Sequence, residues 1–183
     1  PYGSGGRNKG MGARAEVELC RRSGRAVLRG ISGGGAVYHD YGNINFSFIT
    51  DCGGTAFRES NTAGAIVGAL AHFGVNDGVG PRGELTVDGL KISGTASYSN
   101  RSRQLFNGTL LFDTDFAMMR HALNGERSLR GRTIATVPSP TANISGMLAR
   151  RYADASDFLD WRPCFFRDYY QAEELYVCRT VAG

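Results

Sequence analysis

The dipeptide Asp88-Gly89 constrains this chain more than any other pair of residues. It separates two short runs, 84–87 (ELTV) and 90–93 (LKIS). An Asp-Gly between such runs favours a two-residue type I′ turn, because that turn needs positive φ at both central positions. The resulting hairpin places Lys91 just after the turn, at the start of a strand. Residues 44–50 (INFSFIT) alternate, with Ile44, Phe46 and Phe48 on one face, and read as a strand. Residues 104–112 read as a further strand, and 25–29 (RAVLR) as a short buried one. Three helices interrupt these strands. Residues 13–23 have helical character and end at Gly24. In 59–73, Ile66, Val67, Leu70 and Phe73 recur at spacings of three and four and share a face. Residues 115–124 follow Asp113 or Thr114 as N-cap and precede Gly125. After a loop with Pro138 and Pro140, residues 158–178 read as a helical tail. Its aromatic residues, Trp161, Phe165, Phe166, Tyr169, Tyr170 and Tyr176, are expected to serve packing. Hairpins with interspersed helices predict an α+β fold, a mainly antiparallel sheet flanked by helices.

Composition sets the outer limits. The 183 residues suit one domain, and the 42% hydrophobic and 21% charged content is that of a globular chain. The net charge is +4, but the basic residues are scattered without a polybasic tract, so nucleic acid is not expected as a partner. Of the 21 basic residues 19 are Arg, and the two lysines are Lys9 and Lys91. This chain uses Arg wherever a generic cation suffices, which sets Lys91 apart. An ammonium is a compact point charge that can reach between phosphate and carboxylate oxygens, unlike the planar guanidinium fork. Four cysteines form no CxxC pair and three histidines complete no zinc pattern, so no metal site is identified. The thiols read as free in a reducing compartment. The apolar stretch 63–75 is too short and broken to span a bilayer, and no signal peptide is visible, so the expected location is cytoplasmic, away from the membrane.

Two segments carry candidate chemistry. The first is 29–43, RGISGGGAVYHDYGN. Consecutive glycines expose backbone N–H groups and let the chain lie close to a phosphate or carboxylate. Neither the P-loop spacing nor the dinucleotide-binding fingerprint is met, and alone the segment also reads as a flexible turn between strands. The second is 90–96, LKISGTA, one cation followed by small hydroxyl and backbone donors. Alone it also reads as a solvated hairpin lysine.

Taken in order, SGGGAVYHD (32–40), Gly42-Asn43, KISGTA (91–96) and NGTLL (107–111) resemble the lipoate–protein ligase family. Upstream, Gly6-Arg7-Asn8 with Ala15-Glu16-Val17 is similar to the family's GRNQN…AE stretch. Downstream, 137–144 is similar to its VxSxxTNL segment. The resemblance covers about 5–145, and the order and spacing of several motifs make it more specific than any one.

The resemblance implies a fold shared with biotin ligases and, distantly, with class II aminoacyl-tRNA synthetases. It implies a reaction in two halves, ATP-dependent activation of lipoate to lipoyl-AMP with Mg2+, then transfer to a lysine of a lipoyl carrier domain. The carriers would be lipoyl domains of 2-oxoacid dehydrogenase acyltransferases or the glycine cleavage H protein, with a second ligase subunit as a further partner. Lys91 would be catalytic, holding the lipoate carboxyl and the α-phosphate together. Ser32, Gly33, Gly34, Gly35 and His39 would join it in binding lipoate. Gly30, Gly35, Ala36, Val37, Tyr38, Glu84 and Thr95, with Lys91, would bind ATP. The expected organisation is one catalytic domain over 1–183, without counterparts of the family's N-terminal segment and C-terminal accessory domain. Four places depart from the family pattern. Gly30 stands for the second of two arginines, Gly83-Glu84 for Asn-Asp, and Asn107 for His, and around Ser97 and Tyr98 the family's basic residue after the lysine motif is replaced. Arg82, Arg101 and Arg103 are the cations the sequence offers in compensation. Alternative readings are an octanoyl or lipoyl transferase between carrier proteins, and a non-catalytic paralogue that binds lipoyl domains.

Overall fold

The computed structural model describes residues 2–5, 22, 24, 26–33, 35–51, 59–76, 78–80, 83–123, 139–160 and 162–171. Apart from Arg22, the expected helix over 13–23 lies outside them, as do Gly125, Trp161 and Tyr176. Eight strands are described, β1 (Tyr2–Gly5), β2 (Ala26–Arg29), β3 (Ala36–His39), β4 (Asn43–Asp51), β5 (Gly78–Val79), β6 (Leu85–Val87), β7 (Leu90–Ser99) and β8 (Arg103–Leu111). The helices are α1 (Glu59–His72), α2 (Phe116–Leu123), α3 (Ala155–Leu159) and α4 (Arg162–Tyr170). A three-stranded sheet has the order β2-β1-β3, with β1 parallel to β2 and antiparallel to β3. A five-stranded, wholly antiparallel sheet has the order β4-β8-β7-β6-β5. The α+β expectation holds.

The Asp88-Gly89 hairpin forms as its chemistry dictates, with φ of 50° and 75° at the two turn residues. Gly83 also has positive φ, 77°. One feature of this hairpin departs from simple alternation. Leu85 pairs with Ser93 but Thr86 pairs with Lys91, so one step on β6 spans two on β7 and Ile92 is the extra residue of a β-bulge. A one-residue slip turns side chains to the opposite face. Ile92 and Ser93 therefore both enter the core at 0% exposure, while Lys91 and Gly94 share the other face.

On the core face, Ile44, Phe106, Leu110, Leu85 and Val87 pack with Ile66 and Leu70 of α1, with Ile144 and with Phe158 of α3. Phe158 is fully buried, its ring 5.3 Å from Phe73, 5.2 Å from Phe112 and 5.2 Å from Tyr152. Gly108 is required on this face, because a Cβ there would overlap the Phe46 ring and lie 2.8 Å from the Gly94 carbonyl oxygen. α4 lies over Gly64 and Gly68 of α1, where a Cβ on Gly68 would meet the Tyr169 ring at 3.6 Å.

Three expectations are corrected. Asp115, not Asp113 or Thr114, caps α2, since its Oδ1 accepts from the Met118 N–H at 2.9 Å. β2 is a strand but not a buried one, with Leu28 51% exposed on a sheet edge. The single helical tail is corrected to two helices, α3 and α4; its aromatics do pack, Phe165 and Phe166 turned inward and Tyr169 and Tyr170, about half exposed (46% and 48%), in ring contact with Phe165, Phe166 and Phe48.

Candidate functional site

Strand parity divides the large sheet into two chemistries. The face opposite the core carries Asn45 and Ser47 of β4, Thr109, Asn107 and Leu105 of β8, and Gly94, Ala96 and Tyr98 of β7. The register fixes these rows: Asn45 pairs with Thr109 and Thr109 with Gly94; Ser47 pairs with Asn107 and Asn107 with Ala96; Ile49 pairs with Leu105 and Leu105 with Tyr98. Thanks to the bulge, Lys91 joins this face at its head. Its Nζ lies 3.6 Å from where a Gly94 Cβ would stand, with Thr109 Oγ1 3.8 Å from the same point. By register, Gly94 and Ala96 set the smallest side chains of this face below the ammonium, a trough in side-chain size. From Gly94 to Tyr98, four residues at about 3.4 Å each, the floor runs roughly 14 Å from a cationic, hydroxyl-rich end to the larger side chains of Tyr98, Leu105 and Ile49.

The glycine segment meets this face through β3. His39 is buried, 8% exposed, and hydrogen-bonded to Asn45 and Asn43. Burial pulls its imidazole below the ordinary 6.5, and those two bonds and the Asp40 carboxylate pull more weakly upward. Asn45 stands two strands from Gly94, about 10 Å at normal sheet spacing. The two segments singled out in the sequence thus share one side of the sheet. The end of β3 is fastened there. Asp40 accepts from the Gly42 N–H (3.0 Å) and the Asp115 N–H (2.9 Å), and the Gly42 carbonyl accepts from Phe112 and Asp113 N–H groups at 2.9 Å each. Gly42 itself tolerates no Cβ, which would overlap the Asp113 carbonyl.

The other candidate residues are placed as follows. Ser32 is buried, Gly33 is exposed with open space where a Cβ would be, and Gly34 lies outside the described residues. Gly30, Gly35, Ala36 and Val37 are half-buried, and Tyr38 is buried with its carbonyl accepting from Asn43 Nδ2 at 3.2 Å. Glu84 is buried at 8% exposure against Gly80. Thr95 lies on the side away from Lys91, and its hydroxyl donates to the Gly83 carbonyl at 3.0 Å, holding the approach to β6. Arg101 and Arg103 sit at the far end of the β7–β8 hairpin, roughly 25 Å along the strand from Lys91. Arg103 pairs there with Asp51 at 3.5 Å. Neither compensates for a cation missing near Lys91, and Arg82 lies outside the described residues.

Sequence reasoning passed over the support under Lys91. Its N–H donates to the Pro140 carbonyl (2.8 Å) and its carbonyl accepts from the Ala142 N–H (3.1 Å), so 140–142 fills the gap where β7 and β8 splay. Among the described residues, no group of three His, Cys, Asp or Glu side chains could hold a metal ion, and no helix is long and apolar enough to cross a membrane. A cavity of about 390 Å³ between the end of α1 and α3, lined by His72, Phe73, Tyr152 and Asp157, shares no residue with the trough.

Comparison with known proteins places this architecture. The chain is 36% identical over 145 residues to the lipoate-protein ligase LplJ of Bacillus subtilis, covering 78% of this chain and 44% of that protein. It is 40% identical over 124 residues to lipoate-protein ligase 1 of Staphylococcus aureus, covering 67% and 38%. The chain therefore spans less than half the length of these two relatives. In fold it resembles P. falciparum LipL1 in complex with lipoate, with a TM-score of 0.75 at 23% identity over 93% of this chain and 47% of that one. A lipoate-protein ligase A bound with ATP gives a TM-score of 0.73 at 18% identity, covering 93% and 69%. The T. acidophilum bi-partite lipoate protein ligase, solved with its E2 lipoyl domain, gives 0.72 at 20% identity, covering 93% and 68%. The sequence profile of the lipoyl protein ligase A/B catalytic domain matches residues 4–160, and the chain belongs to that family.

Proposed function

We propose that this chain activates lipoate with ATP and passes the lipoyl group to a carrier lysine. The observation that carries the reading is the position of the Lys91 ammonium at the head of the trough, on the side of the sheet that β3 and His39 also face. A carboxylate with an apolar tail matches a trough that is cationic at one end and bulkier and more apolar at the other.

In the first half-reaction a lipoate carboxylate oxygen attacks the α-phosphorus, and the bond from that phosphorus to the bridging oxygen of pyrophosphate breaks. Lys91 would bind the carboxylate and an α-phosphate oxygen at once, aligning them and offsetting the charge that builds there. Gly33, Gly34 and Gly35 let backbone approach the adenylate, and Ala36, Val37 and Tyr38 flank the nucleotide. Neutral His39 abuts the acyl chain without adding a second charge. In the second half, the carrier amine attacks the acyl carbon, its proton is lost, and the bond to AMP breaks. Mg2+ would ride mainly on triphosphate oxygens, as this ion does when a protein offers one or two carboxylates. Glu84 is the buried carboxylate one residue before β6 that could meet it. The acceptor class is a lipoyl domain of a 2-oxoacid dehydrogenase acyltransferase or the glycine cleavage H protein, and the T. acidophilum pairing with an E2 lipoyl domain supports the former.

Lipoate-dependent exchange of labelled pyrophosphate into ATP tests this. Exchange should occur, and should fall by about 100- to 1,000-fold in Lys91→Ala, the loss typical of removing one charge-stabilising group. No exchange together with acyl transfer from octanoyl-carrier protein without ATP would replace the reading with carrier-to-carrier transfer.

A further inference from the structure

Residues 139–145 have no helix or extended strand of their own, yet they connect the two functional segments. At one end they hold Lys91 through the Pro140 and Ala142 bonds described above. At the other, the Ile144 N–H donates to the Leu111 carbonyl (2.8 Å) and the Ser145 N–H to the Phe112 carbonyl (2.9 Å), with Ile144 fully buried. Between these ends stands Asn143. Its Oδ1 accepts from the Thr114 N–H at 3.0 Å, and its Nδ2 donates to the Thr114 carbonyl at 3.0 Å. Thr114 is tied in turn to the end of the glycine segment. Its Oγ1 donates to the Gly42 carbonyl at 3.3 Å, and the next residue, Asp115, donates its N–H to Asp40. A path of hydrogen bonds therefore runs from Asp40 and Gly42 through Thr114 to Asn143, and from there the peptide link to Ala142 carries it to the Lys91 carbonyl.

We propose that Asn143 is a positioning residue that fixes Lys91 relative to the end of β3, and so sets the geometry between acyl carboxylate and α-phosphate. The proposal rests on the role of Lys91 given above. An amide is the side chain for this clamp because it offers one acceptor and a donor side by side, where an ionised Asp offers acceptors alone and Leu neither. A displacement of about 1 Å in a reacting group can cost on the order of 100-fold in rate, so a clamp that touches no substrate still governs turnover.

The test uses the whole chain and the variants Asn143→Leu and Asn143→Asp. Two readouts are taken, kcat and KM of lipoate-dependent pyrophosphate exchange, and the NMR signal of the Lys91 side chain. The sequence holds only Lys9 and Lys91, so Lys91→Ala assigns that signal. For Asn143→Leu, kcat should fall about 10- to 100-fold, with KM for ATP and lipoate changing less than about threefold, and the Lys91 signal should shift or broaden. Asn143→Asp, which keeps the acceptor, should lie between. An unchanged kcat and an unchanged Lys91 signal would overturn the proposal, whatever happens to melting temperature. Should Asn143→Leu fail to fold, Asn143→Asp decides by the same two readouts. A wild-type chain without exchange activity would sink the ligase reading, while the Lys91 signal would still decide whether Asn143 positions it.

Discussion

The two faces of the five-stranded sheet are made by the same strands and obey opposite rules. On one face Phe46, Phe106, Leu110 and Ile92 are sealed under α1, α3 and Ile144. On the other, Asn45, Ser47, Thr109, Gly94 and Ala96 leave a floor of small and polar groups with Lys91 at its head. Stability is concentrated on the first face, where apolar area leaves water. The second gives up packing for access. Alternation alone would have put Ser93 and Thr95 beside Lys91. The bulge at Ile92 instead sends them to the other side and slides Gly94 beneath the ammonium. The lesson is that one inserted residue decides which set of small side chains the lysine sees.

The sharpest way to break the contrast is to damage the core face alone. Phe158 touches the rings of Phe73, Phe112 and Tyr152 from a fully buried position. Phe158→Ala should cost about 3–5 kcal/mol, the range for emptying an aromatic site that cannot collapse. Denaturant unfolding measures it. The trough should keep its KM for lipoate wherever the variant remains folded. A loss under about 1 kcal/mol would mean that the core face is not where stability resides.

How much of this was readable beforehand follows from the range of each signal. The Asp88-Gly89 hairpin, the phase of 44–50 and the buried stripe of α1 are local patterns, and all three form as read. The bulge left no trace, because an extra Ile in a run of apolar and small residues looks like ordinary strand. Asp113, Thr114 and Asp115 are all good caps by type. Only the geometry of the turn shows that the first two serve other bonds, Asp113 accepting from the Ser145 hydroxyl at 3.4 Å and Thr114 facing Asn143 and Gly42. The support of Lys91 by 140–142 is made of backbone groups and has no side-chain signature. Gly83 looked like the loss of a family Asn. Its positive φ shows a position that glycine and asparagine both tolerate, so the backbone role survives the change.

The trough face carries the converse case. Asn107 sits mid-floor, and its Oδ1 is buried with no hydrogen-bond partner among the described residues. A buried acceptor left unsatisfied costs about 1–3 kcal/mol, so Asn107→Leu, similar in volume, should leave stability unchanged or raise it by up to about 1 kcal/mol. KM for lipoate should change, because the residue forms the middle row of the floor. Thermal melts and exchange kinetics on one preparation measure both. A large loss of stability with KM untouched would show that this face is scaffold too.

The smallest effect expected is a pH dependence, and it joins the faces through His39. Burial sets the folded-state pKa of this imidazole below 6.5, its ordinary value and that of the unfolded chain. As pH falls, the unfolded state takes up the proton first. Stability from the neutral ring is fully present above about 6.5 and is lost as pH falls through the folded pKa, beyond which no further change comes from this group. The Asp40 carboxylate and the bonds to Asn43 and Asn45 pull upward and narrow that window. Unfolding free energy should therefore drop more steeply as pH falls below about 6.5 in the wild-type chain than in His39→Gln, whose amide carries no proton to titrate. On the proposed function, exchange activity should weaken over the same interval, since a protonated ring would place a second cation beside the proposed acyl site. Parallel curves for the two proteins would show that His39 titrates as it does in water, and that the end of β3 is open to solvent instead of closed against the sheet.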